Sequence, residues 1–252
     1  MSVIRESGCQ VTSLREGVPQ TLGTVRAWTH VDCRSGATAI SFRTLEFAPG
    51  RAPCLAACGS CEEVLFVLSG RAECSLGEGV FALEPDMGVY RRADAPLLIN
   101  THGSEPLVLL SVRCPDPGIG LEIGNNTPSI QQAAHHPPIV RMDDQAVRSA
   151  PGDRWYRLLI DEQAGSKQIT QFMGSVPPGR APEHYHEYEE VLCILEGEGR
   201  MWAGAASASA PVGTCIFLPR KQIHALENIG EGGLRLVGMF YPAGDPTVSY
   251  SS

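Results

Sequence analysis

The sequence predicts an all-β protein. Three observations lead there: a turn-rich composition, short aliphatic and β-branched runs at regular spacing, and an internal repeat of those runs. Of the 252 residues 43% are hydrophobic and 19% charged, with 27 Gly and 19 Pro, the profile of a globular chain with many turns and few long helices. Runs such as 64–68 and 107–112 are bounded by Gly, Pro and Asp, as strands of a sandwich or barrel are.

The repeat organises the chain. "FAPGRAP" at 47–53 returns as "VPPGRAP" at 176–182, 129 residues later, and "EEVLFVLSG" at 62–70 returns as "EEVLCILEG" at 189–197, 127 residues later. "PLVLLSVRCPDPG" from Pro106 and "GLRLVGMFYPAGDP" from Gly233 again differ by 127. Matched blocks in one order signal a duplication, with two extra residues in the first copy between its first two blocks. The expected units are residues 1–114, a connector at 115–153 rich in Pro, Gly, Asn and Gln, and residues 154–252. Within the connector, "PPIVRM" reads as a strand returning to a sheet, and the first 20 residues as an edge strand for the other copy or a loose tail.

Composition excludes several partners. A formal net charge of -8 argues against nucleic acid or an anionic membrane, which need a basic surface. The longest apolar runs fall far short of the ~20 residues that span a bilayer, and "MSVIRESGCQ" lacks the features of a signal peptide, so the expected location is cytoplasmic. Nine cysteines, an odd and irregularly spaced set, fit reduced thiols in a chain too large to need disulfides. A small molecule is the expected partner, bound by a monomer or homodimer.

Two of the seven histidines stand one residue apart in "PPGRAPEHYHEYEEVLCILEGEG". On an extended chain His184 and His186 share a face, and Glu190 keeps that parity. His224 follows a turn begun at Pro219. Three imidazoles and a carboxylate suit Fe(II), Mn(II), Ni(II), Cu(II) or Zn(II) better than Ca(II). By the same parity Leu192 and Ile194 continue the inward face and Tyr188 reaches the mouth, whereas Tyr185 and Glu187 point away. Phe172, Trp202, Phe217, Met239 and Tyr241 are candidate apolar lining; Arg157 and Arg180 are candidate inward cations.

The spacing Gly179-x4-His184-x-His186-x3-Glu190-x6-Gly197 resembles the first cupin motif, one residue shorter between the glycine and the first histidine. Pro211-x-Gly213 with Pro219-x4-His224-x3-Asn228 resembles the second. The resemblance implies two tandem jelly-roll (cupin) β-barrels, a bicupin, with one divalent transition metal held by His184, His186, Glu190 and His224 in the second. Fe(II) is the first expectation; Mn, Ni, Cu or Zn are alternatives. No further cofactor and no catalytic acid or base is assigned.

Aligned on "EEVL", the first copy keeps Glu63 opposite Glu190 but places Ala and Gly or Cys opposite the paired histidines, and Leu97 opposite His224. Its expected role is structural, pairing with the second barrel and helping to wall the pocket. Cys54, Cys58 and Cys61 stand where ligands would be and invite a thiolate-metal or redox reading, against simple apolar packing. Cys193 and Cys215 read as core. His135 and His136, adjacent and so facing opposite ways, and His30 carry no expected site.

For function, the resemblance implies a mononuclear metal enzyme acting on a small oxygenated molecule, with dioxygenase-like chemistry placed first. A metal-dependent isomerase, decarboxylase or lyase that uses no O2 is the alternative, and a non-catalytic small-molecule-binding bicupin the further one.

Overall fold

The computed structural model describes residues 8–76, 79–115, 118, 120–124 and 138–251; His135 and His136 lie outside them. The chain is all-β, two jelly-roll barrels built from antiparallel strands. Each repeat forms a seven-stranded sheet facing a four-stranded one. The described helical segments are two single turns, Met142–Asp144 and Glu162–Ala164.

The repeats exchange edges. Gln10–Ser13 runs antiparallel along Thr214–Leu218 of the second repeat, and Ile139–Arg141 along Met87–Arg91 of the first. Both edge strands anticipated from sequence therefore exist, and each covers an open sheet edge. No described helix is long and apolar enough to cross a membrane.

The paired "EEVL" strands, Glu62–Ser69 and Glu189–Glu196, are central in their sheets, and alternation divides their side chains between two apolar environments. Leu65 and Val67 point into the first barrel, and Leu192 and Ile194 into the second. Val64 and Phe66 meet Val191 and Cys193 in a third cluster that joins the barrels, to which Cys215, Phe217, Val237 and Met239 also belong. Such strands, buried on both faces, carry the near-continuous apolar runs seen in the sequence. Cys193 and Cys215 are core residues, as expected.

The same alternation splits each glutamate pair. Glu189 crosses to the first barrel, where its carboxylate accepts the Thr38 N–H (2.5 Å) and hydroxyl (2.8 Å) and the N–H groups of Ala39 (3.0 Å) and Ile40 (3.3 Å). Glu62 reciprocates, accepting the Ser166 hydroxyl (3.2 Å) and the N–H groups of Lys167 and Gln168, both at 3.0 Å. Each barrel thus places a carboxylate on the other's loop. Glu189→Ala should lower stability by about 2 kcal/mol, since buried donors lose a charged acceptor while exposed Thr38 regains water. Urea unfolding checks this, with a smaller loss expected for the more exposed Glu62→Ala.

Candidate metal centre

Backbone pairing brings the three histidines together. His184 and His224 form an isolated antiparallel bridge, His184 N–H to His224 O at 3.1 Å and the reverse at 2.9 Å. The turn beginning at Pro219 is closed by Gln222 N–H to Pro219 O (3.2 Å) and tied back by Lys221 N–H to His186 O (2.7 Å). The rings of His184 lie 4.9 Å from His186 and 4.4 Å from His224, and His186 lies 5.2 Å from His224, centroid to centroid. One nitrogen from each lies within 4.8 Å of the others.

The other ring nitrogens are occupied. Nδ1 of His184 meets Pro182 O at 2.9 Å, Nδ1 of His186 meets Val248 O at 2.8 Å, and Nδ1 of His224 meets Gln222 O at 2.8 Å. A carbonyl only accepts, so Nδ1 carries the proton in all three rings and Nε2 is left with its lone pair. Outer-sphere carbonyls of this kind fix the tautomer of a ligating histidine.

Burial favours the neutral rings. It is the main cause that pushes His186 down to about 4 and His224 to about 3, and it lowers His184 as well. Glu190 is buried too, and burial raises its carboxyl to about 8. His186 Nε2 lies 3.8 Å from its Oε2, and among the described residues no lysine or arginine forms an ion pair with it. The three Nε2 lone pairs form a donor set that fits a divalent transition metal, with the Glu190 carboxylate beside them but outside the group of ligand atoms that lie within 4.8 Å of one another.

The first barrel shows what a matched cation does at this position. Glu63 pairs across strands with Arg91 and Arg113, where Glu190 pairs with Leu218 and Phe240. Arg91 Nη1 reaches Glu63 Oε2 at 2.6 Å, Arg113 Nε reaches Oε1 at 3.2 Å, and the Ser111 hydroxyl donates to Oε1 at 2.5 Å. Burial alone would raise the Glu63 carboxyl; Arg113, Arg91 and Ser111 outweigh it and bring it to about 2. Arg91 also donates to the carbonyls of Leu55, Ala56 and Ala95. Leu55 bridges Leu97 as His184 bridges His224, so Leu55 and Ala57 stand opposite the paired histidines, correcting the Ala and Gly or Cys assignment.

The thiolate-metal part of the cysteine reading is also corrected. Cys58 and Cys61 are joined as a disulfide, so C-x3-C-x2-C does not offer three thiolates. The two extra residues of the first copy fall in this loop, after Ala57.

A cavity of about 350 Å³ opens over the histidines. Phe172 and Leu192 line it as expected, together with Leu226 and Leu236. Gly238 makes the room: a Cβ there would stand 2.4 Å from the Phe172 ring and 3.1 Å from Leu192 Cδ2. The other expected lining lies elsewhere. Phe217 and Met239 belong to the cluster between the barrels, with Tyr241 packed against it, and Ile194 is in the barrel core. Trp202 binds Glu227 and stacks under Arg180. All described lining residues fall between 150 and 251, so the first barrel does not wall this cavity.

Parity misplaced Tyr188, and the two candidate cations lie outside the cavity. Tyr188 stacks beneath His186, at 4.4 Å, and on Phe240, at 4.2 Å, instead of reaching the mouth. Arg157 is bound to Met142 O at 2.8 Å and Arg180 to Glu183 at 2.7 Å. The arginine in the cavity is Arg154, which no periodicity marked because it opens a strand directly after a turn.

Sequence reasoning also missed a strap at 246–251. Tyr185 and Tyr250 exchange N–H···O bonds of 2.9 and 3.0 Å, their rings stack at 5.5 Å, and Pro246, Thr247, Ser249 and Ser251 line the cavity. Val248 O orients His186 from this strap. Deleting residues 246–252 should weaken zinc binding about tenfold while shifting the urea midpoint little, as read by competition with a chromogenic chelator.

Comparison with known proteins agrees with this architecture. Residues 172–240 match the cupin domain family. A single-substitution variant of Bacillus subtilis oxalate decarboxylase superposes with a TM-score of 0.74 at 15% identity, covering 96% of this chain and 78% of that one. The structure of oxalate decarboxylase from Bacillus subtilis at pH 4.6 gives 0.72 at 14% identity, covering 92% and 76%. Comparison with curated proteins finds no match. The second repeat thus matches the cupin domain family over residues 172–240, within a chain whose overall fold is similar to that of oxalate decarboxylase.

Proposed function

We propose that His184, His186 and His224, through Nε2, and Glu190, through its carboxylate, hold one divalent transition metal, and that the cavity above them converts a small oxygenated organic molecule without consuming O2, as a decarboxylase, isomerase or lyase. The observation that carries this reading is the set of three imidazoles tied outward at Nδ1 around a buried carboxylate at the floor of an apolar cavity. Likeness in fold to oxalate decarboxylase favours this class over the oxygenase chemistry placed first from sequence.

A bound divalent ion would supply Lewis-acid polarisation of a substrate oxygen. The protein's own contribution is orientation and exclusion of water. Phe172, Leu192 and Leu236 surround the carbon skeleton, and the strap covers it. The first barrel, with Arg91 filling its corresponding position, is a structural partner in this reading.

The test is conversion of a panel of small hydroxy, oxo and dicarboxylic acids by the full chain loaded separately with Mn(II), Fe(II) and Zn(II), with and without air. Turnover under strict anaerobiosis is the expected result. Turnover that requires O2 and consumes it stoichiometrically would return the oxygenase to first place.

A further inference from the structure

Arg154 begins the strand Arg154–Ile160 and lines the same cavity as His184, His186, His224 and Glu190. Its Nε donates to Pro151 O at 2.7 Å, which fixes the guanidinium plane against the turn before the strand. The terminal nitrogens meet no carboxylate among the described residues. The other two candidate arginines differ: Arg180 is bound to Glu183 and Arg157 to Asp143. The Arg180 pairing also neutralises Glu183, the other acid that lines the cavity beside Glu190.

The charge balance then points one way. A divalent ion against the single carboxylate of Glu190 and three neutral imidazoles leaves surplus positive charge, and Arg154 adds to it. A half-buried guanidinium whose Nη1/Nη2 edge remains open recognises a carboxylate in bidentate fashion through that edge. Phe172, Leu192 and Leu236 give the same cavity apolar walls.

We propose that Arg154 is the anion-recognition residue of this cavity and that its ligand is a small organic carboxylate with a second oxygen for the metal and an apolar body. The proposal rests on the metal-site reading above and adds the substrate class to it. Arg154 selects by charge, so it discriminates an acid from the amide of the same shape.

The experiment is calorimetric titration of the zinc-loaded full chain with two matched pairs, salicylate against salicylamide and 2-hydroxy-3-methylbutanoate against its amide. In at least one pair the acid should bind about tenfold more tightly than the amide. R154Q should cut the acid's affinity roughly 10- to 100-fold and leave the amide's within about twofold, with R154K intermediate. No preference for either acid, or equal losses for acid and amide in R154Q, overturns the proposal. Zinc stoichiometry on the same samples separates the two readings. A wild-type chain that holds no zinc ends the metal assignment, and the metal-free titration then decides Arg154 by the same acid-to-amide ratio.

Discussion

Glu190→Ala will abolish stoichiometric metal binding. The three Nε2 lone pairs remain in this variant, but the only anionic donor is lost, and a divalent ion in a buried pocket is left without charge compensation. A loss of affinity of at least about 100-fold is expected from removing a ligand, more than the 10- to 100-fold typical of outer-sphere partners. Elemental analysis by inductively coupled plasma mass spectrometry reads the result: about one equivalent per wild-type chain and almost none in the variant. A variant that keeps a full equivalent would show that the carboxylate is not a ligand.

The same residue sets a pH dependence of known sign. In the metal-free protein burial holds the Glu190 carboxyl at about 8, while His186 and His224 lie near 4 and 3. Between pH 6.5 and 8 the folded state therefore keeps a proton on Glu190 that the unfolded state has lost, so the metal-free fold loses stability as pH rises through this window. Metal binding displaces that proton, so apparent affinity rises by up to about tenfold per pH unit over the same range. Glu190→Gln should flatten both slopes. Thermal unfolding of the metal-free chain across this range, with zinc titrations at each pH, measures them.

Arg91→Ala will destabilise the first barrel by about 3–5 kcal/mol. Arg91 is among the largest fully buried side chains, and its removal leaves Glu63 with Arg113 and Ser111 alone and frees the carbonyls of Leu55, Ala56 and Ala95. A cavity is added to this electrostatic loss. Arg91→Met fills the space without the charge and should recover only part of the stability. Urea unfolding followed by tryptophan fluorescence distinguishes the two, and a loss below about 1 kcal/mol for Arg91→Ala would show that Arg113 suffices.

The two glutamates explain why duplication need not preserve function. Glu63 and Glu190 occupy one position in two copies of a fold. Leu218 and Phe240 flank Glu190, and arginines replace both around Glu63. In the first barrel the cation is part of the chain; in the second the position is left open to one from solution.

The sequence by itself determined the all-β class, the duplication, the covering edge strands and the identity of the residues that converge above Glu190. Strand periodicity and turn chemistry are local properties, and the repeat supplied an internal alignment that needs no coordinates. Tertiary structure decided what depends on distance between remote segments. The carbonyl of Val248 against His186 links residues 62 apart in sequence, the clasp of Glu189 on Thr38 spans 151, and Arg154 lines the cavity with His184 and His224, 30 and 70 residues away in sequence. Parity assigns a side chain to a face. It cannot say whether that face meets the cavity, as for Phe172, or the other barrel, as for Phe217 and Met239, because that choice is made by how the two barrels pack.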